Sequence, residues 1–574
     1  MRRFALAALL SLAAAAAGSQ TMSEALTYSV NDYFGTARSI ALGGAMTALG
    51  GDLGSMGINP AGSAVAPYSQ FSISPGITIM SNTSGYSTYY NEDYTGYLDY
   101  RANKFNIPNV GFTLRFDTYN SAMKSFTLGF ASTATSHFMN DFVGQGINDK
   151  TSLLGSFGAG ASPYTPSQLM DRNSWFSSGI PWNYLVAYQG GMIAEAFDEY
   201  GQPMVNEGDG SYTYLGATEA LFPNGDGTYD IRTQGPLDQY SRVQTYGAKY
   251  DILMNLGMNF NDSFFLGFNI GMPVATYRYS EYFDEAAVNT SDFEIEYADG
   301  VVTNFDHAEY DYSQVSDVAG IYLKAGFIWA PAGGFRIGAA VQTPTFMTIR
   351  DAWDVTADTY FTNSSYNTSA DSPTNEYSYS LITPWRFNAG LAYTFGSFGL
   401  VSADFEMADY SSMRFRPTDG YLRDSRAFET ENAVNRNFAG REYAGRFGVE
   451  LRPVPAFSIR AGYALRTSPE YYGFDKNGEK FTAAGYLNYL DEFEHGNYIA
   501  SKTAFDEIYS TYSCGLGFSS DGSFFADIAY RLSKYPTGYF NPYGDYITGG
   551  DEFLPEVVQT RTMSDIVLTL GWRF

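Results

Sequence analysis

Residues able to exchange protons, bind metals or attack bonds are scarce in this chain. There are three histidines, His137, His307 and His495, far apart in sequence, and one cysteine, Cys514. No Ser-His-Asp spacing, His-rich metal cluster or CxxC pair can be read from it. The expectation is a protein that is not an enzyme and uses no cofactor or metal; haem gains nothing from so few histidines. What is left is charge. Arg336, Arg386, Arg446 and Arg460 each stand in a run where apolar and polar residues alternate. A guanidinium presents a planar fork that fits a carboxylate head group, so these four are the candidates for ligand binding. The competing reading pairs them with acids such as Asp404, Glu406 and Asp527. Arg446, Glu450 and Arg460 look like one such network.

The elements that would carry these side chains are strands. From residue 69 onward a period of two recurs. Ile566, Leu568, Leu570, Trp572 and Phe574 share one face at the C-terminus, opposite Asp565, Thr569, Gly571 and Arg573. The same pattern predicts strands at 69–80, 107–116, 122–133, 249–260, 263–273, 318–330, 334–346, 380–395, 398–409, 441–452, 455–467, 508–519, 522–532 and 563–574. Six connections are tight (117–121, 261–262, 331–333, 396–397, 453–454 and 520–521), and they alternate with seven long ones. An up-and-down transmembrane barrel has this signature, with short periplasmic turns and long external loops. The fold class expected is therefore all-β, an antiparallel barrel of about fourteen strands. In it the four arginines face inward, while Phe447, Val449, Phe457 and Ile459 face lipid. Trp329, Trp572 and Trp385 fall at the predicted interfaces, as aromatic girdles do.

Composition agrees. The chain has 48 Tyr, 44 Phe and 59 Gly but only 17% charged residues, and no later run of about 18 apolar residues. Met1-Arg2-Arg3, an apolar stretch to Ala17 and then Gly18 read as a signal peptide, 1–18, too short to span a bilayer. No cysteine stands nearby for a lipid anchor. The location expected is the cell outer membrane. The net charge of −27 excludes nucleic acid as a partner. Acidic stretches at 284–299 and 491–494 read as solvated loop, with cation bridging to lipopolysaccharide as a weaker reading. Terminal Phe574 resembles the signal read by the outer-membrane barrel assembly machinery, and a monomer is expected.

Residues 19–68 are not strand-like. Small residues and glycines from Ala37 to Asp52 lead into Ile58-Asn59-Pro60-Ala61-Gly62. Such a segment can fold tightly inside a lumen; the alternative is a flexible periplasmic tail. The small-residue run, Asp52 and Asn59-Pro60-Ala61-Gly62 resemble the N-terminal hatch of the FadL/TodX family of hydrophobic-compound channels. The resemblance implies a hatch over 19–68, with Gly43, Gly44, Asp52, Asn59, Pro60, Ala61 and Gly62 as hatch or gating residues, plugging a barrel over 69–574. It further implies passive uptake of a fatty-acid-like hydrophobic molecule, released sideways through a gap near the third strand. Gly129 is the residue there that could mark such a gap.

The longest loop, about 134–248, is rich in apolar residues. Leu169, Trp175, Phe176 and Trp182 could form a landing groove, or the loop could pack a core of its own and cap the barrel. The rival to a channel is a barrel of the same kind acting as a scaffold or docking partner in protein secretion or surface assembly.

Overall fold

The computed structural model describes residues 21–574 apart from 89–93, 119–121, 178, 199, 207, 225–227, 298–299, 332, 419–426, 472, 475–479, 482–506, 521–522, 545 and 547–554. The expected signal peptide, the acidic stretch 491–494 and His495 lie outside the described residues.

Fourteen antiparallel strands close into a barrel. They are β1 (Gln70–Ser87), β2 (Thr95–Asp117), β3 (Met123–His137, continuing as Asn140–Asn148), β4 (Leu237–Phe260) and β5 (Phe264–Ala287). Next come β6 (Val302–Trp329), β7 (Phe335–Gln342, then Phe346–Phe361), β8 (Asn375–Ile382, then Arg386–Thr394) and β9 (Gly399–Asp409, then Arg414–Pro417). The last five are β10 (Arg441–Val454), β11 (Phe457–Thr467), β12 (Ile508–Ser519), β13 (Phe524–Lys534, then Gly538–Phe540) and β14 (Glu556–Arg573). β1 pairs with β2 on one side and with β14 on the other, from Gln70↔Arg573 to Ser87↔Glu556, so no edge is left at the seam. Ser69 and Phe574 exchange two backbone hydrogen bonds of 3.0 Å below it.

Every sequence-predicted strand lies in one of these, but the observed strands run further. β4 begins at Leu237 rather than 249, and β6 at Val302 rather than 318. Away from hydrocarbon neither face need be apolar, so the alternation fades while the ladder continues. The longest connection shrinks accordingly to 149–236. The stretch 284–299, read as loop, starts inside β5, and Glu285 there is buried. The β10–β11 turn falls at Pro455 and Ala456, two residues later than expected. Pro453 is tolerated in β10 because the register slips between Leu451 and Val454. Asn261 and Asp262, with left-handed φ of 55° and 59°, open the three-residue β4–β5 turn between the partners Phe260 and Phe264, and Ser263 N–H donates to the Phe260 carbonyl across them.

β7 and β8, read as continuous, are each broken at a proline. Gln342 and Arg386 face inward below Pro344 and Pro384, and Met347 and Leu381 face inward above them. One residue is therefore inserted in each strand at the same level, where a proline has no N–H to give the ladder.

Outside, a band of exposed apolar side chains includes Ile321, Leu323 and Trp329 on β6 and Trp385, Phe387, Leu391 and Tyr393 on β8. Leu391 lies near the middle of that band. Leu391→Arg should destabilise the folded barrel by about 2–4 kcal/mol, as cations near the bilayer midplane do, measured by reversible urea unfolding in lipid vesicles.

Candidate functional site

The chain ahead of β1 lies within the lumen as α1 (Met22–Ser29), α2 (Ala37–Ala41), α3 (Ser55–Ile58) and a 3-10 turn over Pro60–Val65. The Thr36 hydroxyl caps α2 by accepting from Ser39 N–H and donates to Asp52 at 2.6 Å. Asp52 also accepts from Gly54 N–H at 2.8 Å, so it ties the two ends of the segment together. Burial raises its pKa above the ordinary carboxyl value. Asn59 caps the turn that starts at Pro60 and donates to two carbonyls, Thr47 at 2.7 Å and Phe327 of β6 at 3.0 Å. Gly51 N–H donates to the Gly62 carbonyl, and a side chain on Gly62 would strike Ser55. Ala61 is fully buried against the wall.

Gly43 and Gly44 adopt φ of 65° and 77°, which other residues enter only with strain. They let the backbone turn flat against β10 and β11; a Cβ on Gly43 would sit 3.0 Å from Phe447 O and Tyr463 N. The wall reciprocates. Inward positions Gly257, Gly267, Gly326, Gly338, Gly390, Gly448, Gly462 and Gly515 lie on strands β4–β8 and β10–β12. A side chain at each would meet atoms of the N-terminal segment. Gly257, Gly267 and Gly326 are direct cross-strand partners, as are Gly338 with Gly390 and Gly448 with Gly462. The belt was missed in sequence because it becomes visible only once register is known. Gly338→Leu would drive a side chain into the Thr47 carbonyl. The barrel should still fold, shown by heat-modifiable gel mobility, while planar-bilayer conductance should rise several-fold if the N-terminal segment is lifted off the wall.

The four arginines all face inward, and each is engaged by protein. Arg386 binds Glu406 at 2.5 Å, Tyr410 Oη at 3.1 Å and the Ser29 carbonyl at 3.0 Å. Arg446 binds Glu406 at 2.7 Å. Arg460 joins Glu450 at 2.7 Å and Asp527 at 2.5 Å, with Arg38 of the hatch on the same Glu450 at 2.9 Å. Arg336 donates to the Leu49 carbonyl at 2.8 Å. The network expected of Arg446, Glu450 and Arg460 is thus two networks, because Arg446 lies opposite Asp404 of β9 and reaches Glu406 two residues along that strand rather than Glu450.

The wall itself is interrupted. β2 and β3 pair only from Asn109↔Thr133 down to Asp117↔Ser125. Above this β2 follows β1 and β3 follows β4. Gly129 sits below the break, in regular pairing with Thr113. β3 bends inward beyond Thr133, so that Asn82 of β1 donates to Asp141 O at 2.9 Å and Ser84 to Val143 O at 2.6 Å. The N-terminal segment partly re-pairs its freed edge: Asp32 N–H donates to Thr135 O at 2.8 Å and Phe34 N–H to Ala134 O at 3.1 Å. Behind the opening Met80, Met139 and Met563 pack together, with Tyr100 and Ala102 of β2 against them. The available sequence signal was the lapse of alternation from Thr133 to Asn140.

Higher in the lumen the inner wall turns apolar. Val318, Met347, Ile349 and Leu381 receive Met22, Ala25, Leu26 and Tyr28 of α1. At the C-terminal end of that helix Lys249 donates to the Tyr28 and Val30 carbonyls, both at 2.7 Å, beside Arg386. A small polar cavity opens here, lined by Ser29, Asn31, Lys249, Asp251, Tyr322 and Arg386.

Loop 149–236 covers the barrel mouth. Leu169, Trp175 and Trp182 are buried in one cluster with Phe157, Leu185 and the tops of β5–β7, including Phe283, Tyr310 and Trp353. Phe176 is 67% exposed and lies against Trp182 with ring centroids 5.7 Å apart. A helix runs over Trp182–Gln189, and Ile193 lies in a short strand beyond it. Within this cap Glu219 accepts from Gly216 N–H at 3.0 Å and Tyr546 Oη at 2.9 Å. Burial pushes its pKa up to about 7 against those hydrogen bonds. From the ordinary value of 4.5 to about 7 the folded cap keeps a proton that the unfolded chain has lost. Its stability is therefore greatest at the acid end and falls as pH rises through that window. Glu219→Gln should flatten this dependence, read as the rate of limited proteolysis of the cap between about pH 5 and pH 8.

A closed barrel with a lipid-facing band, an inward-bent strand and its own N-terminal segment in the lumen belongs to the class of occupied transmembrane β-barrels. Among solved structures the chain is similar to a FadL homologue from Pseudomonas aeruginosa, at 10% identity and TM-score 0.46, over 95% of this chain and 100% of that one. It is also similar to the toluene transporter TodX of P. putida, at 12% identity and TM-score 0.43 over 94% and 98%. The Ralstonia pickettii toluene transporter TbuX matches at 14% and 0.41 over 95% and 99%. No family model and no curated protein matches the sequence.

Proposed function

We propose that this protein is an outer-membrane channel of the FadL/TodX kind, passing long-chain fatty acids or similar hydrophobic compounds passively into the membrane. The observation that carries the reading is the parting of β2 from β3 above Asn109 and Thr133. It begins beside the lipid-facing residues Ile107 and Phe130, so a molecule leaving there meets hydrocarbon rather than water. The route starts at the external cap and enters the apolar chamber that α1 now fills. There Lys249 and Arg386 can exchange helix carbonyls for a polar head group. The three methionines are the last obstacle; their unbranched, polarizable side chains yield to varied shapes. The hatch held by Asp52, Asn59 and the glycine belt closes the lumen against free water flow. The protein arrives through its signal peptide, is inserted by the barrel assembly machinery and works as a monomer with both termini on the periplasmic side. A passive route needs no catalytic group.

Met139→Trp places a rigid bulk behind the opening. In cells lacking other routes, uptake of a labelled long-chain fatty acid should fall about tenfold while the protein stays folded and inserted, a barrier increase of about 1.4 kcal/mol. Undiminished uptake by the variant would sink the route past Met139; no uptake by the wild type, with no apolar molecule co-purifying from its lumen, would sink the channel reading in favour of a docking barrel.

A further inference from the structure

The inward bend of β3 has a second effect, at the outer lip of the opening. Lys104 belongs to the inner face of β2, in register with Thr78 of β1. With β3 out of the way its ammonium reaches the outer face of β4, 4.6 Å from the centroid of the Tyr246 ring. Tyr246 is the cross-strand partner of Arg278 on β5, whose guanidinium is near enough to repel Lys104. Two cations are thus brought together across three strands that would otherwise be separated by β3.

Their surroundings do not neutralise them. The adjacent Arg242 lies over Tyr100 and is held by Asp141 through bonds of 3.1 and 2.9 Å. Asp317, diagonal to Arg278 on β6, accepts from Thr276 at 2.9 Å and makes no ion pair with Arg278. Some exposed cations elsewhere carry acids: Arg350 has Glu376 at 2.5 Å, Arg441 has Asp409 at 3.2 Å and Arg232 has Asp230 at 2.5 Å. Among the described residues Lys104 and Arg278 have no carboxylate within ion-pair distance, and they meet at one point of the wall across Tyr246.

Height identifies the anion. Lys104 adjoins Phe105, an outward residue 66% exposed at the top of the β2 apolar band, and Arg278 stands four residues above Val274, an outward apolar residue of β5. Both cations therefore sit just above the hydrocarbon, at the level of lipid head groups, flanked by the tyrosines of an interfacial belt. We propose that Lys104 and Arg278 form a binding site for a phosphorylated lipid head group of the outer leaflet, held at the lip of the β2–β3 opening. Phosphate accepts from an ammonium and a guanidinium at once, and the acyl chains below it cover the parted wall. The site is independent of what passes through the wall, so its test and the uptake assay fail separately.

The test is native mass spectrometry of the full-length protein in detergent with added lipid A, with dephosphorylated lipid A, and with inorganic phosphate alone. The wild type should retain phosphorylated lipid A selectively. Lys104→Gln with Arg278→Gln should weaken that retention roughly thirtyfold, the expected effect of two surface cations. Arg350→Gln should leave it unchanged, and Lys104→Arg with Arg278→Lys should restore it. Heat-modifiable mobility checks that each variant is folded. Equal retention of the dephosphorylated lipid, or unchanged retention in the double glutamine variant, would overturn the site. Complete displacement by millimolar inorganic phosphate would overturn the lipid and leave a free-anion site.

Discussion

Hydrocarbon offers no partner for a backbone N–H or C=O, and each one left unpaired there costs several kcal/mol. A sheet satisfies that demand only by closing on itself, which β1 and β14 accomplish from Gln70 to Ser87. The same demand explains the interruption. Where β3 leaves β2, its carbonyls at Ala134 and Thr135 are met by Phe34 and Asp32 of the N-terminal segment. Opening the wall and filling the lumen are therefore one arrangement: the segment inside supplies part of what the missing neighbour would have given.

Filling a barrel this wide raises a second difficulty, since the backbone of the N-terminal segment must come close to a wall that ordinarily carries side chains. Glycines resolve it from both sides, with Gly43 and Gly44 on that segment and the belt from Gly257 to Gly515 on the wall. Polar contacts then fix position: Asn59 to Phe327, Lys324 to Gly57, Asn269 to Met56, and Arg38 to the buried Glu450. Most of the inward charge is consumed in this way. At the lower end of the α1 chamber Lys249 and Arg386 likewise hold backbone carbonyls, those of Ser29, Tyr28 and Val30 at the end of α1.

Much was legible beforehand because the bilayer imposes a one-dimensional rule. An outward residue between the head-group levels must be apolar whatever else the protein does, so strand positions, their number and the inward phase of Arg336, Arg386, Arg446 and Arg460 follow from periodicity alone. The rule lapses outside the membrane, which is why the upper halves of β4 and β6 were read as loop. It lapses again at Pro344 and Pro384, where one inserted residue reverses the phase.

The order and pairing of strands and the inward face were thus determined by sequence, since each follows from local alternation, whereas composition left the segment ahead of β1 open between a lumen filler and a periplasmic tail. Which inward acid meets which arginine was decided by register, a property of two strands together: aligned β9 and β10 set Asp404 opposite Arg446 and bring Glu406 within its reach. The bend of β3, the methionines behind it and the meeting of Lys104 with Tyr246 required the whole closed wall. They join residues from strands far apart in the chain, and no local pattern records such a distance.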